Sequence, residues 1–171
     1  MDFLIALVAI VILLFSFVIL RGAPYLPTLK RQIEDALDLL ELKEGQTLLE
    51  LGSGDGRFLY VAAKRGVYSV GYELNPLLVI WTRLRYFRYR KFISVTWGDY
   101  WKTDWPESDG MYVFLLQKYM KKLDTKIVQY LSQPNTICEQ HKNYKVVSFG
   151  FTIPDRKPIK TKKGLSLYNY K

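Results

Sequence analysis

At 171 residues the chain fits one domain, and its formal charge of +9 is compatible with an anionic partner such as nucleic acid, lipid headgroups or an acidic protein face. The single cysteine, Cys138, excludes an intrachain disulfide. Cys138 beside His141 lacks the further ligands that a metal site needs, so no metal is expected.

Residues 3–20 carry no charge and one polar residue, Ser16. As a helix this run would span about 27 Å, close to the thickness of a bilayer core. A signal peptide would want a basic start and a small-x-small cleavage site, whereas here Asp2 precedes the run and Arg21, Lys30 and Arg31 follow it. The expectation is one uncleaved transmembrane helix over 1–21, with the rest of the chain on the cytoplasmic side by the positive-inside rule. Residues 22–45 read as a linker and a pre-domain helix, capped by Thr28 and apolar at Leu29, Ile33, Ala36, Leu37 and Leu40.

Residues 46–171 read as the main domain. Strands are expected at Thr47–Leu51, Val67–Tyr72, Phe92–Trp97, Gly110–Leu116 and Tyr144–Phe151, with Gly164–Tyr170 as a final edge strand. Helices are expected at Phe58–Lys64, from Pro76 onward, and at Lys118–Leu131. Strands separated by helices imply an α/β, doubly wound, mostly parallel sheet with helices on both faces.

The first strand carries Glu50 and breaks into Gly52-Ser53-Gly54-Asp55-Gly56. Glycines after a strand let the backbone approach a ligand and turn without steric cost. The spacing is G-x-G-x-G. A dinucleotide fingerprint would need its third glycine at Arg57, so a nucleoside cofactor without a pyrophosphate fits better. The second strand is followed by Glu73-Leu74-Asn75-Pro76, which places an acid where a doubly wound fold holds a ribose diol. The third is followed by Gly98-Asp99-Tyr100-Trp101.

These three strand ends resemble the class I S-adenosylmethionine (SAM) methyltransferases, whose fold is Rossmann-like. With Tyr25-Leu26-Pro27-Thr28 after the apolar segment, the chain resembles one subgroup of them. That subgroup is the membrane-anchored protein-lysine methyltransferases of the ATP synthase c-subunit and adenine nucleotide translocase type. The resemblance implies S-adenosyl-L-methionine as cofactor and a lysine of a membrane protein as acceptor. It implies that Gly52, Gly54 and Gly56 pass under the methionine and ribose portion, and that Glu50 accepts from the amino group or orders the loop. Glu73, flanked by Leu74 and Asn75, would bind the ribose hydroxyls. Asp99 would accept from the adenine amine with Tyr100 near the ring, and Pro27 and Thr28 would close over the cofactor. Asp55 faces the methionine amine or caps the helix, and Ser53 is loop geometry or a contact.

No catalytic residue is named by the sequence. Methyltransferases of planar amides or bases often carry Asn/Asp-Pro-Pro-Tyr after the fourth strand, and Leu115-Leu116-Gln117-Lys118 stands here instead. Nucleic acid is therefore not the expected acceptor. Gln117 lines the methyl site or caps a helix. Residues 81–92 interleave five cations with aromatics. They read as a helix with Ile80, Leu84 and Phe87 against the sheet, as a membrane-surface element, or as an RNA platform. The basic run Arg156–Lys163 is a solvated loop or a second such element. A lipid or quinone-like acceptor, and a non-catalytic RNA- or membrane-binding module, are the competing functions.

Overall fold

The computed structural model describes Leu4, Ile5, Ala9, residues 26–132 and residues 143–170. In chain order these form α1 (Lys30–Leu40), β1 (Thr47–Leu51), α2 (Arg57–Lys64), β2 (Tyr68–Glu73), α3 (Pro76–Arg85), a 3-10 turn (Phe87–Tyr89), β3 (Ile93–Trp97), β4 (Gly110–Val113), α4 (Gln117–Leu131), β5 (Tyr144–Phe149), β6 (Lys160–Lys162) and β7 (Leu165–Tyr170). The expected anchor lies outside the described residues except for Leu4, Ile5 and Ala9, which are helical. Among the described residues no helix is long and apolar enough to cross a membrane. Cys138 and His141 also lie outside them.

The strands form one seven-stranded sheet in the order β3-β2-β1-β4-β5-β7-β6. The first five are mutually parallel, and β7 runs antiparallel to both β5 and β6. The chain leaves β1 to one side for β2 and returns on its other side as β4. Strand order therefore reverses beside β1, where open α/β sheets leave a crevice at the carboxyl ends of the strands.

Both faces are covered. On one, Ile33, Ala36 and Leu40 of α1 and Phe58 and Ala62 of α2 pack on Leu48, Tyr112, Val147 and Leu165. There α3 adds Val79 against Leu59 and Val95. On the other, Met120, Leu123 and Ile127 of α4 pack on Leu49, Met111, Val113, Val146 and Tyr168. Alternation along β1 sends Leu48 and Glu50 to the first face and Leu49 and Leu51 to the second.

Three expectations change. Thr28 does not cap α1. Leu29 occupies that position, with its N–H donating to Gln32 Oε1 at 3.0 Å, while the Thr28 hydroxyl meets the Tyr112 hydroxyl at 3.2 Å. The 164–170 strand is not an edge, because Lys160–Lys162 pairs outside it. Ile80, Leu84 and Phe87 do not face the sheet but are exposed, and Val79 and Thr82 are the buried residues of α3.

Candidate functional site

The carboxyl ends of β1, β2 and β4 open into one cavity of about 670 Å³. Of the residues expected from sequence, Pro27, Thr28, Glu50, Gly52, Ser53, Gly54, Asp55, Glu73, Leu74, Asn75, Asp99 and Tyr100 all line it. Gly56 does not. It precedes α2 at φ +74°, and a Cβ built on it would lie 2.2 Å from Thr82 Cγ2. Its bareness lets α2 and α3 approach each other. Gly52 behaves differently: its φ is +82°, and a Cβ there would meet nothing within 4 Å. At that position glycine keeps the cavity floor open.

Glu73 ends β2 and organises the loop. Its Oε2 accepts from Gly54 N–H at 2.8 Å and its Oε1 from Asn75 N–H at 2.7 Å. A carboxylate has about four lone-pair positions, so two remain for other donors. Burial raises the Glu73 carboxyl above its usual range, and the backbone N–H groups of Asn75 and Gly54 that hydrogen-bond it, with that of Leu74 nearby, act against that rise. The Asn75 side chain accepts from Leu77 N–H at 3.0 Å and starts α3 ahead of Pro76.

Glu50 has no such support. Its side chain is buried, and Oε2 has no hydrogen-bond partner among the described residues. Burial, then the charges of Asp55 and Glu73, push this carboxyl well above its usual range. Ser53 Oγ and Asn75 Nδ2 are likewise buried without a partner among the described residues. Three unsatisfied polar atoms are unusual, since leaving such a group unpaired costs about 1–3 kcal/mol. The residues that carry them, Glu50, Ser53 and Asn75, all line the same cavity.

Arg57 stands where a dinucleotide loop would have its third glycine, and it grips Asp55. Its Nε and one terminal nitrogen reach the two Asp55 oxygens at 2.9 and 2.8 Å. Its other terminal nitrogen lies 3.5 Å from the Thr28 carbonyl, which connects the glycine loop to the segment before α1. Gly56 holds the Ncap position, and Asp55, one residue earlier, caps the helix from there: its Oδ1 accepts from the first N–H of α2, that of Arg57, at 3.3 Å. Tyr112, also absent from the expected site, stacks on Phe58 at 3.9 Å between ring centroids, and burial raises its hydroxyl so that it stays protonated. A polar-ended aromatic inside β4 carries no sequence signal that separates it from core.

On the β3 side, Asp99 Oδ1 accepts from Trp101 N–H at 3.0 Å. The loop behind it is held by Lys126 of α4, whose ammonium donates to the carbonyls of Tyr100, Trp101 and Thr103 at 2.8, 3.1 and 2.8 Å. The far end of the cavity is apolar: Phe114, Leu115 and Leu116 follow β4, and Phe149, Gly150 and Phe151 end and follow β5. Gln117 does not line the cavity. It begins α4, and its amide donates to the Thr152 carbonyl at 3.2 Å. Among the described residues no group of three metal-ligating side chains occurs.

Residues 50–160 match the family model of the ANTKMT methyltransferase domain. The chain is 36% identical over 106 residues to the human lysine N-methyltransferase of the ATP synthase c-subunit, covering 61% of this chain and 45% of that protein. It is 33% identical over 139 residues to the mouse adenine nucleotide translocase lysine N-methyltransferase, covering 80% of this chain and 56% of that one. The chain thus spans about half the length of these curated relatives. Among solved structures, an RNA methyltransferase from Salinibacter ruber in complex with S-adenosyl-L-homocysteine superposes with a TM-score of 0.72 at 27% identity, over 85% of this chain and 92% of that one.

Proposed function

The chain belongs to the ANTKMT methyltransferase domain family, and on that premise we propose that it transfers a methyl group from S-adenosyl-L-methionine to the side-chain amine of a lysine in a membrane protein. The observation that carries the cofactor reading is that three residues with unpartnered buried polar atoms, Glu50, Ser53 and Asn75, line one cavity with Glu73 and Asp99. S-adenosyl-L-methionine bears an ammonium, a carboxylate, a ribose diol and an adenine amine, so it offers a partner to each kind of group present. The cavity volume is within the usual range for such ligands.

Glu50 and the Gly52–Gly54 backbone take the amino-acid portion. Glu73 turns its two free lone-pair positions to the ribose hydroxyls. Asp99 and Tyr100 take the adenine, and Pro27 and Thr28 lie over the opening. When bound, the cofactor supplies an electrophilic methyl on a sulfonium, and in-line displacement then needs position and dryness more than a strong base. Three acids, Glu50, Asp55 and Glu73, lie together; a cationic ligand beside them favours the ionised form of the two carboxyls that burial raises, and Arg57 restrains Asp55.

The acceptor end follows from Phe114, Leu115, Leu116, Phe149 and Phe151. These side chains offer an apolar channel for the four-carbon stem of a lysine. Only the neutral amine attacks, and neutralising an ordinary lysine at pH 7 costs about 4–5 kcal/mol. Apolar walls that strip water from the ammonium lower that cost, and no protein base is required. An RNA acceptor is a second reading, favoured by the Salinibacter likeness. The residues after β4 weigh against it, since Phe114-Leu115-Leu116-Gln117 offers no polar clamp for a planar base. We further take the uncharged run 3–20 as a membrane anchor, with the domain on the cytoplasmic side.

Calorimetric titration of the purified chain with S-adenosyl-L-homocysteine tests the cofactor site. Glu73→Ala is expected to weaken binding about 100-fold or more, since it removes charge-assisted hydrogen bonds to the ligand and the loop together. Undiminished binding in that variant would sink the assignment. For the acceptor, membranes from cells lacking the protein are incubated with the chain and labelled S-adenosyl-L-methionine. Label on lysine peptides is expected; label on lipid or RNA instead overturns the acceptor and spares the cofactor.

A further inference from the structure

The outer surface of α3 and the turn after it is apolar and cationic at once. Helical spacing puts Leu77, Ile80, Trp81 and Leu84 on one stripe. Trp81 and Leu84 are 50% and 71% exposed, and Phe87 in the following turn is 59% exposed. Ile80 is exposed beside them, and so is Trp97, whose indole N–H donates to the Leu74 carbonyl just before α3. The stripe faces outward because the inner side of α3 is already fixed: Val79 packs on Leu59 and Val95, and the Thr82 hydroxyl donates to the Gly54 carbonyl at 3.3 Å.

Around this stripe stand Arg83, Arg85, Arg88, Arg90 and Lys91, and no acid occurs between Glu73 and Asp99. Arg83 is committed to the Val95 carbonyl. Arg85 lies 5.5 Å from the Trp81 ring centroid and Arg90 lies 4.5 Å from that of Phe87, so their charges are carried over the exposed aromatic faces. Arg88 and Lys91 are exposed.

We propose that this face docks the domain onto an anionic lipid bilayer, with Ile80, Trp81, Leu84 and Phe87 entering the headgroup region and Arg85, Arg88, Arg90 and Lys91 meeting lipid phosphates. The mixture decides the occupant. A nucleic acid backbone rewards the cations and stacks bases on aromatics, but it offers nothing to Ile80 and Leu84. A bilayer interface accepts aliphatic, aromatic and cationic side chains in one plane. The first turn of the same helix sends Leu78 into the cavity wall, so docking would hold the cavity beside the membrane surface. The exposed face carries this by itself, whatever cofactor or acceptor the cavity takes.

The test uses the full chain with Cys138→Ser and one environment-sensitive fluorophore, placed by Leu84→Cys or by Gln129→Cys. Gln129 is exposed on α4, which covers the other face of the sheet. The probe is a vesicle of phosphatidylcholine and phosphatidylglycerol that carries a spin-labelled lipid. Quenching several-fold stronger at position 84 than at 129 is expected, and the pair Arg88→Glu and Lys91→Glu is expected to abolish most of the difference. Because Arg88→Glu and Lys91→Glu leave residues 3–20 untouched, their effect on the difference separates docking by this face from anchoring by that segment. Equal quenching at both positions overturns the proposal. So does protection of the position-84 label by single-stranded RNA with none by vesicles, or its concentration-dependent burial without lipid, which assigns the face to a second copy.

Discussion

Glu50 and Glu73 stand at neighbouring strand ends with different surroundings, and the difference makes a measurable prediction. Both carboxyls are raised by burial, but Glu73 receives two short backbone hydrogen bonds while Glu50 Oε2 receives none among the described residues. With a raised carboxyl, the folded chain keeps a proton that the unfolded chain has released. Stability therefore falls as pH climbs from the ordinary glutamate value of 4.5 through the raised folded value. Asp35 and Glu41 are shifted the other way, chiefly by hydrogen bonds from Lys162 and Lys145, and contribute stability that is lost on acidification. The difference between wild type and Glu50→Gln isolates the first effect. In thermal melts without ligand, Glu50→Gln is expected to melt a few degrees higher at neutral pH, with the gap closing towards acid. In calorimetry the same variant binds the cofactor product more weakly. A gap that does not change with pH contradicts the assignment of strain to this carboxylate. The sequence marks both acids but not their contrast, because desolvation depends on what lies above the strand end.

The glycine loop shows how an element can be legible in sequence while one of its members serves another purpose. Gly52 and Gly54 line the cavity, whereas Gly56 sits where α2 passes α3. Gly56→Ala places a methyl in a left-handed conformation against Thr82, with an expected loss of about 2–4 kcal/mol in chemical denaturation. Thr82→Ser removes the nearest carbon and is expected to recover part of that loss in the double variant. Strict additivity of the two substitutions would show that the contact is not the cause. The α3 helix departs from its expected phase for a related reason. Its apolar residues, Leu77, Leu78, Val79, Ile80, Trp81 and Leu84, surround most of the axis, so periodicity does not select an inner face. A polar residue, Thr82, took the inside because Gly54 supplied an acceptor.

At the scale of the whole molecule, the last strand holds the two cores together. Residues of β7 enter opposite faces: Leu165 and Leu167 join the α1–α2 core, and Tyr168 and Tyr170 join the α4 core. Truncation after Pro158 removes an interior strand, and it is expected to abolish cooperative unfolding and near-ultraviolet circular dichroism. A truncated chain that still melts in one sharp transition would show that five parallel strands suffice. Lys160–Lys162 explains why the sequence suggests a loop there. A short lysine-rich edge strand carries little apolar signal, and Lys162 and Lys163 direct their charges to Asp35 at 2.7 and 3.2 Å. The sequence by itself determined the alternation of strands and helices, the acid at each of three strand ends and the two glycines that floor the cavity. Each is a local signal, since strand period, turn chemistry and residue type are written within a few positions. Only the tertiary structure decided that Gly56 serves helix packing, that Arg57 and Lys126 brace the loops, that β7 is interior, and that the apolar stripe of α3 points outward. Those outcomes depend on which surfaces meet across tens of residues, and no local pattern records them.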